Sequence, residues 1–366
     1  MNKTKVIISG GGTGGHIFPA IAIANALKKS IVDIDILFVG AKGKMEMEKV
    51  PAAGYMIEGL NISGLQRSMS LKNISFPFKV ISSILYSRKL IKRFKPDVVV
   101  GVGGFASGPL LFAATFMKIP SVIQEQNFFP GMTNKILSKR VNKICVAFEG
   151  MGKYFPNEKL TVTGNPIRED MVNIAGKRDE ALEFFKLDTK KITILFIGGS
   201  LGARTINQSV EDNLVKFNDK NYQVIWQTGK WFYKQACDSV ESCKLSNVKT
   251  FEFIYRMDLA YAAADIIISR AGAISISELA IIGKPCIFIP SPNVAEDHQT
   301  KNALNLVEKN AALMVIDTDA REKLESVLIN LIEDKETQNI LSQNISRMAI
   351  KNAADKIVDV IKSIIK

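Results

Sequence analysis

The sequence predicts an α/β protein with two domains, each built on a parallel β-sheet. Three observations lead to this prediction. Apolar runs that read as buried strands alternate along the chain with helical patterns, which is typical of parallel sheets. At 366 residues the chain is too long for one average domain. A strand, a glycine loop and a helix follow one another near the start and again from residue 192, as expected for two domains of similar design.

The first of these stretches contains a glycine loop at a predicted helix start. Five glycines and Thr13 fill residues 10–15, directly after a buried strand. A helix is expected over residues 20–27, after Pro19. Backbone N–H groups at such a strand–loop–helix junction point toward an anion. His16, one of two histidines in the chain, lies where the loop becomes the helix.

This loop also spells the glycine fingerprint of dinucleotide-binding proteins, but the usual acidic partner is missing. That fingerprint needs an acidic residue at the end of the second strand, about 20 residues on. The second strand is predicted over residues 34–39 and is followed by Gly40, whereas Asp33 and Asp35 stand at its start. A nicotinamide or flavin cofactor is therefore not expected.

The remaining elements of the first half continue the alternation. Further strands are predicted over residues 55–62, 98–102, 121–123, 141–147 and 160–163, with helices over 42–50, 83–94 and 110–116. Ligands bind at the carboxyl ends of parallel strands. The residues expected at those ends are Thr13, His16, Gly103, Gly104, Glu125 and Asn127.

The pattern restarts after residues 164–168, which read as a hinge between domains. Strands are predicted over residues 192–197, 223–227, 249–253, 266–269 and 286–289, with helices over 178–185 and 257–264. The first of these strands runs into the second glycine loop, at residues 198–204. This arrangement repeats the opening stretch and suggests a second α/β domain.

The block from Ser269 to Pro285 is the most informative part of the second half. A strand ends at a glycine turn, and a helix is expected to begin near Ser275 with its N-terminus suited to a phosphate. Glu278, less than two turns into that helix, would repel a phosphate but can accept hydrogen bonds from sugar hydroxyls. It is therefore a candidate ribose clamp, and a capping carboxylate is the alternative.

Composition excludes several classes of protein. No apolar segment reaches 18 residues, so no membrane-spanning helix is expected, and no secretory signal is evident at the N-terminus. The four cysteines lack CxxC spacing and are expected to be reduced thiols of a cytoplasmic protein. With two histidines and no His/Cys cluster, no zinc site is expected.

The formal net charge of +12 indicates an anionic partner. No acidic residue occurs between Asn61 and Lys95, where basic and apolar residues are interleaved. This composition is typical of an element on an anionic membrane surface, although an amphipathic helix packed on the sheet gives the same pattern. No nucleic-acid motif is recognisable, so nucleic acid is not an expected partner. The residues predicted to contact the membrane are Phe76, Phe78, Lys79, Ile81, Arg88 and Lys89.

Six motifs along the whole chain resemble those of the MurG glycosyltransferases. They are Gly-Gly-Thr-Gly-Gly-His-Ile-Phe-Pro at 11–19, Gly-Gly-Phe-Ala-Ser-Gly-Pro at 103–109, Glu-Gln-Asn at 125–127, Gly-Asn-Pro-Ile-Arg at 164–168, Gly-Gly-Ser-Leu-Gly-Ala-Arg at 198–204 and the block from Arg270 to Glu278. These enzymes transfer N-acetylglucosamine (GlcNAc) from UDP-GlcNAc to lipid I, an undecaprenyl-linked muramyl-pentapeptide. The resemblance therefore implies formation of lipid II in peptidoglycan synthesis.

The resemblance implies a GT-B fold, in which two Rossmann-like domains with parallel sheets face a central cleft. It implies an acceptor- and membrane-facing domain over residues 1–163, a UDP-GlcNAc-binding domain over 164–345, and a C-terminal helix over 346–366 that packs back on the first domain. The implied location is peripheral, on the cytoplasmic face of the inner (plasma) membrane. The implied partners are UDP-GlcNAc, lipid I and an anionic membrane surface, with proteins of cell-wall synthesis or division as further candidates.

The resemblance also implies site residues in both halves. Those implied for UDP-GlcNAc are Thr13, Gly14, Gly15, Asn127, Arg168, Ser200, Ile254, Ala273, Ile274, Ser275, Ile276, Ser277, Glu278 and Gln299. Whether Gln299 or the adjacent His298 reaches the nucleotide stays open. The residues implied on the acceptor side are Gly103, Gly104 and Phe105. Phe105 and Gln124 replace a common Tyr and a common His of the family, so polar acceptor contacts from these two positions are in doubt.

The transfer requires a base to take the proton of the attacking 4-hydroxyl. His16 is the predicted base, because the positive end of a helix keeps its imidazole neutral. Glu125 is the alternative, or it positions the acceptor. Helix N-termini, Arg168 and Ser200 are expected to stabilise the leaving diphosphate.

No essential metal and no cofactor are predicted for this step. The sequence Asp-Ile-Asp at 33–35 spells a metal-binding element, but it precedes the second strand, far from the expected site. Direct displacement with inversion is therefore expected. Two other classes stay open, namely another GT-B enzyme, such as a UDP-GlcNAc 2-epimerase or a different lipid glycosyltransferase, and a non-catalytic membrane-surface protein. The basic, apolar segment favours a lipid acceptor, and two glycine-loop sites argue against the non-catalytic class.

Overall fold

The computed structural model describes residues 3–62, 76–199 and 201–365. The chain divides into two compact units. Unit 1 comprises residues 1–167 together with 350–366, and unit 2 comprises residues 168–349. The second unit is therefore inserted between two segments of the first.

Unit 1 is built on a seven-stranded sheet of order β3-β2-β1-β4-β5-β6-β7, with parallel pairing between all neighbours. Its elements up to the crossing into unit 2 are β1 (Thr4–Gly10), α1 (Gly14–Ser30), β2 (Ile34–Ala41), α2 (Glu46–Ala52), β3 (Met56–Leu60), α3 (Phe76–Phe94), β4 (Val98–Gly103), α4 (Ser107–Phe116), β5 (Ser121–Glu125), α5 (Met132–Ser138), β6 (Lys143–Val146) and β7 (Leu160–Val162).

Unit 2 is built on a six-stranded sheet of order β10-β9-β8-β11-β12-β13, again with parallel pairing throughout. Its elements are α6 (Glu169–Val172), α7 (Arg178–Phe185), β8 (Thr193–Ile197), α8 (Arg204–Asp212), α9 (Leu214–Asp219), β9 (Gln223–Gln227), α10 (Tyr233–Ser242), β10 (Val248–Phe251), α11 (Met257–Ala263), β11 (Ile266–Ser269), α12 (Ala273–Ile282), β12 (Cys286–Phe288), α13 (His298–Glu308), β13 (Leu313–Met314), α14 (Ala320–Glu333) and α15 (Lys335–Arg347). The last helix, α16 (Ala353–Lys362), belongs to unit 1.

The central strands form because their residues are apolar on both sides. In β1, Val6 and Ile8 pack in the layer that contains α1 and α16, whereas Ile7 packs in the layer of α3 and α4. All three side chains are fully buried. Helices therefore cover both faces of the sheet, and a continuous apolar run is what such a strand requires. The predicted α/β class with parallel sheets is confirmed.

Helix α16 completes the core of unit 1 from the end of the chain. Its side chains Ile357, Val358 and Ile361 are buried in the same core cluster as Ile17 and other residues of α1. The Nζ of Lys362 donates to the Oγ of Ser30 at 3.0 Å, at the far end of α1. One face of the first helix is thus covered by the last one.

Both sheets have the strand order of a doubly wound fold, and this order locates the ligand-binding edge. The order reverses between β1 and β4 in unit 1 and between β8 and β11 in unit 2. Ligands of such folds bind outside the carboxyl ends of the strands at this reversal. The loops that leave these four strands lie at residues 11–13, 104–106, 198–203 and 270–272, and each contains at least one glycine.

The first glycine loop ends earlier than the sequence predicted. Helix α1 begins at Gly14 and contains Pro19, so the prediction of a start at residue 20 was wrong. Since Pro19 has no N–H, the carbonyl of Gly15 lacks its intrahelical donor. Gly14 and Gly15 occupy the first turn, where no helical carbonyl is available to the N–H groups. Helix α12 likewise begins at Ala273, two residues before the predicted start at Ser275.

Candidate functional site

His16 is oriented by the glycine loop that precedes it. Its Nδ1 lies 3.1 Å from the carbonyl oxygen of Gly11 and 3.4 Å from the Oγ1 of Thr13. A carbonyl oxygen can only accept a hydrogen bond, so this contact places a proton on Nδ1. In the neutral ring, Nε2 is then the nitrogen with proton-accepting character. The imidazole therefore has the tautomer that a general base requires at Nε2.

The glycine turn at the end of β4 closely approaches both this imidazole and the first loop. A Cβ on Gly103 would lie 2.4 Å from Cδ2 and 2.7 Å from Nε2 of His16, and a Cβ on Gly104 would lie 2.3 Å from the carbonyl oxygen of Gly11. Both glycines have positive φ, +108° and +90°. Only glycine allows this conformation at this spacing. Phe105 follows them with an exposed ring next to Gly12.

Glu46, which the sequence analysis did not select, is buried against the back of the first loop. Its Oε2 accepts from the N–H of Gly12 at 2.8 Å, and its Oε1 accepts from the N–H of Ala41 at 2.9 Å. The side chain is almost fully buried, although it belongs to the first turn of α2. Glu46 thereby connects the end of β2 to the glycine loop.

Glu125 ends β5 and is fully engaged with the loop that follows. Its Oε1 accepts from the backbone N–H and the Nδ2 of Asn127, each at 3.1 Å. Its Oε2 accepts from the N–H of Gly131 at 3.2 Å and from the Nδ2 of Asn134 at 2.8 Å. Burial raises the pKa of this carboxyl, and the hydrogen bonds from Asn127, Asn134 and Gly131 oppose that rise. Glu125 organises residues 126–131.

Gln124, at the position where the family commonly has His, is buried inside unit 1. Its Nε2 donates to the Oδ1 of Asn165 at 2.9 Å, and its Oε1 accepts from the Nε2 of Gln126. Gln126 also donates to the carbonyl of Val102, and Asn165 donates to the carbonyl of Gln126. The amide at position 124 therefore serves a network between β4, β5 and the segment that leads out of unit 1.

In unit 2, the glycine loop after β8 is fixed by a neighbouring loop and by the buried amide of Gln227. A Cβ on Gly202 would lie 2.1 Å from the carbonyl oxygen of Thr228, so the loops after β8 and β9 are in direct backbone contact. The Nε2 of Gln227 donates to the carbonyl of Gly199 at 3.1 Å, and its Oε1 accepts from the N–H of Ile254 at 3.0 Å. Ser200 lies outside the described residues.

The N–H of Ile254 is engaged by Gln227 and its side chain is buried. The group that Ile254 can offer to a ligand is therefore its carbonyl.

The first turn of α12, further along unit 2, exposes mainly backbone groups and few side-chain groups. Ala273 and Ile276 are buried, and the Oγ of Ser277 donates back to the carbonyl of Ala273 at 3.0 Å. Ile274 and Ser275 complete the first turn. A helix start of this kind can bind an anion through its N–H groups.

Glu278, one turn further along α12, is the polar side chain beside that position. Its Oε2 accepts from the hydroxyl of Tyr261 at 3.2 Å. Burial raises the pKa of the Glu278 carboxyl to about 7, against the effects of Tyr261 and of the charge on Arg168. Arg168 itself is exposed and pairs with Asp170 at 2.9 Å. Hydrogen-bond donors of a ligand would therefore stabilise the ionised form of this carboxyl.

Gln299, near the start of α13, has a clear structural partner. The Oε1 of Gln299 accepts from the N–H of Ser291 at 2.8 Å, which fixes the loop after β12. His298 begins the helix next to it. The amide NH₂ of Gln299 is the group of this side chain that can donate to a ligand. Contact of the nucleotide with either His298 or Gln299 stays a prediction.

A second buried contact missed by the sequence analysis holds the loop before α12. Arg270 forms an ion pair with Asp317 and donates to the carbonyls of Ile289 and Pro290 at 3.0 and 3.2 Å. Asp317 also accepts from the Oγ1 of Thr205 at 2.9 Å. These contacts tie the starts of α8 and α12 together, so the two helix N-termini have a fixed spacing.

Helix α3 carries an exposed apolar stripe. Phe78, Ile81 and Leu85 follow one another at helical spacing and are 72%, 57% and 58% exposed. Arg88 and Lys89 continue the exposed surface, whereas Phe76 and Lys79 are half-buried. Within the described part of the chain, no helix has the length and apolarity needed to cross a membrane.

No group of three or more metal-ligating side chains is gathered anywhere in residues 3–62, 76–199 or 201–365. Asp33 and Asp35 contact Lys3 at 3.8 and 2.9 Å, at the amino end of β2. They therefore lie at the opposite edge of the sheet from the glycine loops.

Comparisons with known proteins cover nearly the whole chain. The model of the glycosyltransferase family 28 N-terminal domain matches residues 6–146, and that of the C-terminal domain matches residues 193–359. Similar curated proteins include UDP-N-acetylglucosamine–N-acetylmuramyl-(pentapeptide) pyrophosphoryl-undecaprenol N-acetylglucosamine transferases. Those of Parabacteroides distasonis and Flavobacterium psychrophilum are 53% and 54% identical to this chain, over all of it and 99% of their own length. A crystal structure of Acinetobacter baumannii MurG is 26% identical and has a TM-score of 0.80, over 99% of this chain and 100% of that one.

The chain belongs to the MurG glycosyltransferases of family 28. The predicted family and the GT-B fold class are thereby confirmed. A UDP-GlcNAc 2-epimerase from Neisseria meningitidis also matches, with a TM-score of 0.66 at 17% identity, over 99% of this chain and 100% of that one. At this identity the likeness shows a shared fold alone. Membership in family 28 thus selects a glycosyltransferase from the enzyme classes that the sequence left open.

As a family 28 glycosyltransferase, the protein has two groups of predicted site residues, one within each unit. Unit 1 holds those of the first glycine loop, the loop after β4 and the end of β5. Unit 2 holds Arg168, Ile254, Gln299 and the residues of α12. Glu46, Gln227 and the Arg270–Asp317 pair were missed because each contacts a loop far away in sequence. The one signal that could have identified Glu46 is an acidic residue near the end of the second strand.

Proposed function

We propose that this glycosyltransferase moves GlcNAc from UDP-GlcNAc to the 4-hydroxyl of the muramic acid in lipid I, forming lipid II. The observation that carries this proposal is the identity of 53% and 54%, over the full length, to transferases named for this reaction. The two sites support it, because one unit offers a base beside glycine loops and the other offers helix N-termini beside a partly buried carboxylate. The anomeric centre is inverted by a single direct displacement.

Unit 2 is the donor domain in this proposal. The carbonyl of Ile254 accepts from the base of the nucleotide, and the first N–H groups of α12, from residue 273 onward, hold the diphosphate. Glu278 accepts hydrogen bonds from ribose hydroxyls, while Arg168 and Ser200 stabilise the charge of the leaving diphosphate. Gln299 is assigned to the nucleotide as well. Gly14, Gly15 and the side chains Thr13 and Asn127 remain predicted contacts of the sugar.

Unit 1 is the acceptor domain, and His16 is its general base. The 4-hydroxyl transfers its proton to Nε2 as its oxygen attacks the anomeric carbon and UDP leaves. The neutral tautomer with the proton on Nδ1 supports this role. Glu125 is the weaker candidate, because four donors from the following loop and from α5 already occupy its two oxygens. Gly103, Gly104 and Phe105 line the approach of the acceptor.

The exposed stripe of α3 supports a peripheral position on a membrane. Phe78, Ile81 and Leu85 insert among lipid chains in this proposal, while Arg88 and Lys89 contact anionic headgroups. The undecaprenyl acceptor is itself anchored in such a surface. The cytoplasmic face of the inner membrane is the proposed location, and proteins of cell-wall synthesis or division stay predicted partners.

The transfer is tested with radiolabelled UDP-GlcNAc and a lipid I analogue. Label in a lipid product with a second sugar is the expected result. Release of free N-acetylmannosamine would indicate an epimerase, and unchanged UDP-GlcNAc would contradict the proposal. His16→Ala is expected to lower turnover at least 100-fold with UDP-GlcNAc affinity retained, in line with the usual contribution of a general base. Turnover close to that of the unmodified enzyme would remove His16 as the base.

A further inference from the structure

Glu46 and His16 contact the two ends of the same peptide group. The carboxylate of Glu46 accepts from the N–H of Gly12 at 2.8 Å. The carbonyl oxygen of that peptide unit belongs to Gly11, and it lies 3.1 Å from the Nδ1 of His16. A continuous hydrogen-bonded path therefore leads from the carboxylate, through one peptide group, to the ring.

This path is held rigidly in the structure. The second oxygen of Glu46 accepts from the N–H of Ala41, the last residue of β2, so the sheet fixes the carboxylate. A Cβ on Gly11 would lie 2.2 Å from Oε1 of Glu46, and a Cβ on Gly40 would lie 2.5 Å from its Cγ. Both positions therefore have glycines where any other residue would displace the carboxylate.

We propose that Glu46 is a positioning residue that acts on His16 through the Gly11–Gly12 peptide group. A carboxylate on the N–H side polarises the peptide and strengthens its carbonyl as an acceptor. The stronger acceptor fixes the proton on Nδ1, directs Nε2 toward the acceptor hydroxyl and stabilises the imidazolium. The proposal rests on the function proposed above, since it takes His16 as the base.

The proton balance of the step is simple. Nε2 of His16 takes the proton of the 4-hydroxyl while the oxygen forms its bond to the anomeric carbon and the bond to UDP breaks. The ring then carries protons on both nitrogens, and the one on Nδ1 stays in the hydrogen bond to Gly11. Glu46 remains a carboxylate throughout and touches no reacting atom.

Other charges around the ring differ from Glu46 in distance or direction. The positive end of α1 disfavours the imidazolium. Glu125 ends β5, which is two strands away from β1 in the sheet, or roughly 10 Å. Lys42 and Lys44, in the segment between β2 and α2, are exposed, as are the charged residues near the start of α16. Glu46 is thus an anionic group that reaches His16 through described hydrogen bonds.

The tautomer of His16 gives a first test on the unmodified protein. The chain has two histidines, so ¹⁵N-labelled histidine gives two ring systems, and His298 serves as an internal reference. The neutral ring of His16 is expected to be protonated at Nδ1, with a non-protonated Nε2 resonance. A neutral ring protonated mainly at Nε2 would overturn the proposal without any substitution.

The second test compares two charge-removing variants of the same helix. Glu46→Gln removes the carboxylate behind the peptide, whereas Glu48→Gln removes an exposed carboxylate that pairs with Lys49. Glu46→Gln is expected to lower the titration midpoint of His16 by about half a unit to one unit. The acid limb of the kcat/KM profile should shift by the same amount, while Glu48→Gln leaves both unchanged. Glu46→Asp, which keeps the charge, should restore part of the shift.

The outcomes separate this proposal from the proposed function. A Glu46→Gln enzyme with lower turnover but an unmoved His16 titration would make Glu46 merely structural and overturn the proposal. If Glu46→Gln fails to fold, the tautomer measurement and the Glu46→Asp titration decide in its place. If His16→Ala retains transfer, the base assignment fails independently of whether Glu46 shifts the ring.

Discussion

Burial changes the pH range in which the carboxyl of Glu278 titrates. Burial raises the pKa of its carboxyl to about 7, above the ordinary value of about 4.3. The folded protein therefore binds this proton more tightly than the unfolded chain does. The stabilising contribution of the neutral carboxyl is present below about pH 4.5 and is lost as the pH rises through 7.

Donor binding should follow the opposite trend, because the proposed role of Glu278 is to accept hydrogen bonds from ribose hydroxyls with its ionised carboxylate. With a pKa of about 7, the ionised fraction is about ten times smaller at pH 6 than at pH 8. The affinity for UDP-GlcNAc is therefore expected to be about tenfold weaker at pH 6, measured by isothermal titration calorimetry. Glu278→Gln should bind more weakly and lose this dependence. An equally steep dependence in Glu278→Gln would show that another group titrates.

Gly103 is expected to affect catalysis through the space that it leaves for the ring of His16. Gly103→Ala places a methyl group 2.4 Å from Cδ2 of His16, so the ring or the loop must move. Turnover should fall at least tenfold, because small displacements of a base have large effects on rate. Gly54→Ala is the matched control, with a positive φ of +82° but nothing within 4 Å of the new methyl. Both variants are compared by turnover and by thermal unfolding.

If both glycine variants lose only stability, the close approach of Gly103 to His16 has no catalytic importance. The backbone strain of alanine at positive φ costs of order 1–3 kcal/mol and is common to both positions. A loss of turnover confined to Gly103→Ala is therefore attributable to the imidazole.

At the scale of the element, α3 provides the test of membrane attachment. Phe78→Ser with Ile81→Ser removes two exposed side chains from the stripe without touching the core. Binding to anionic vesicles in a co-sedimentation assay should weaken at least tenfold, since burial of one such side chain contributes about 1.5–3 kcal/mol. Phe184→Ser with Val215→Ser is the matched control in unit 2, where both side chains are about half exposed. Unchanged vesicle binding by the α3 variant would contradict the membrane assignment.

The strands and glycine loops could be predicted because their signals are local. A buried strand such as β1 is a continuous apolar run, and the loop that follows it spells its own turn in glycines. The start of α1 was missed because Pro19 suggests a helix boundary. Here it lies inside the helix, and the glycines before it form the first turn.

The buried polar contacts could not be predicted, because they join segments that the topology brings together. Glu46 in a short polar helix reads as a surface residue, yet pairing of β1 with β2 places it behind the glycine loop. The sequence put polar acceptor contacts from Gln124 in doubt, and its amide faces Gln126 and Asn165 in the core. The roles proposed for Ser200 and the sugar contacts rest on the family resemblance and stay predictions.

At the scale of the whole molecule, the two units offer separate probes of stability. Ile357→Ala with Ile361→Ala removes two fully buried side chains from α16 and is expected to destabilise unit 1 by about 4 kcal/mol or more. Both tryptophans, Trp226 and Trp231, belong to unit 2. When the variant is unfolded, its circular dichroism signal should therefore begin to fall under milder conditions than that of the unmodified protein. The midpoint followed by tryptophan fluorescence, which reports on unit 2, should not change.

Lys356→Ala with Asp359→Ala is the control on the same helix, since both side chains are exposed. This pair should leave the midpoints of both unfolding transitions unchanged, because substitutions of exposed residues usually have small effects on stability. A tryptophan transition that moves together with the circular dichroism signal would show that α16 stabilises the whole chain and not unit 1 alone.

The insertion of unit 2 between two segments of unit 1 also sets the order in which the chain is completed during translation. Residues 168–349 are continuous and are synthesised before residues 350–366. Domains generally fold as units while the chain is being synthesised. The apolar face of α1 that later receives Ile357, Val358 and Ile361 thus stays uncovered throughout the synthesis of the inserted unit. The unit that begins first is completed last, and during this interval the apolar face of its first helix is exposed on the nascent chain, where such surface is prone to aggregation.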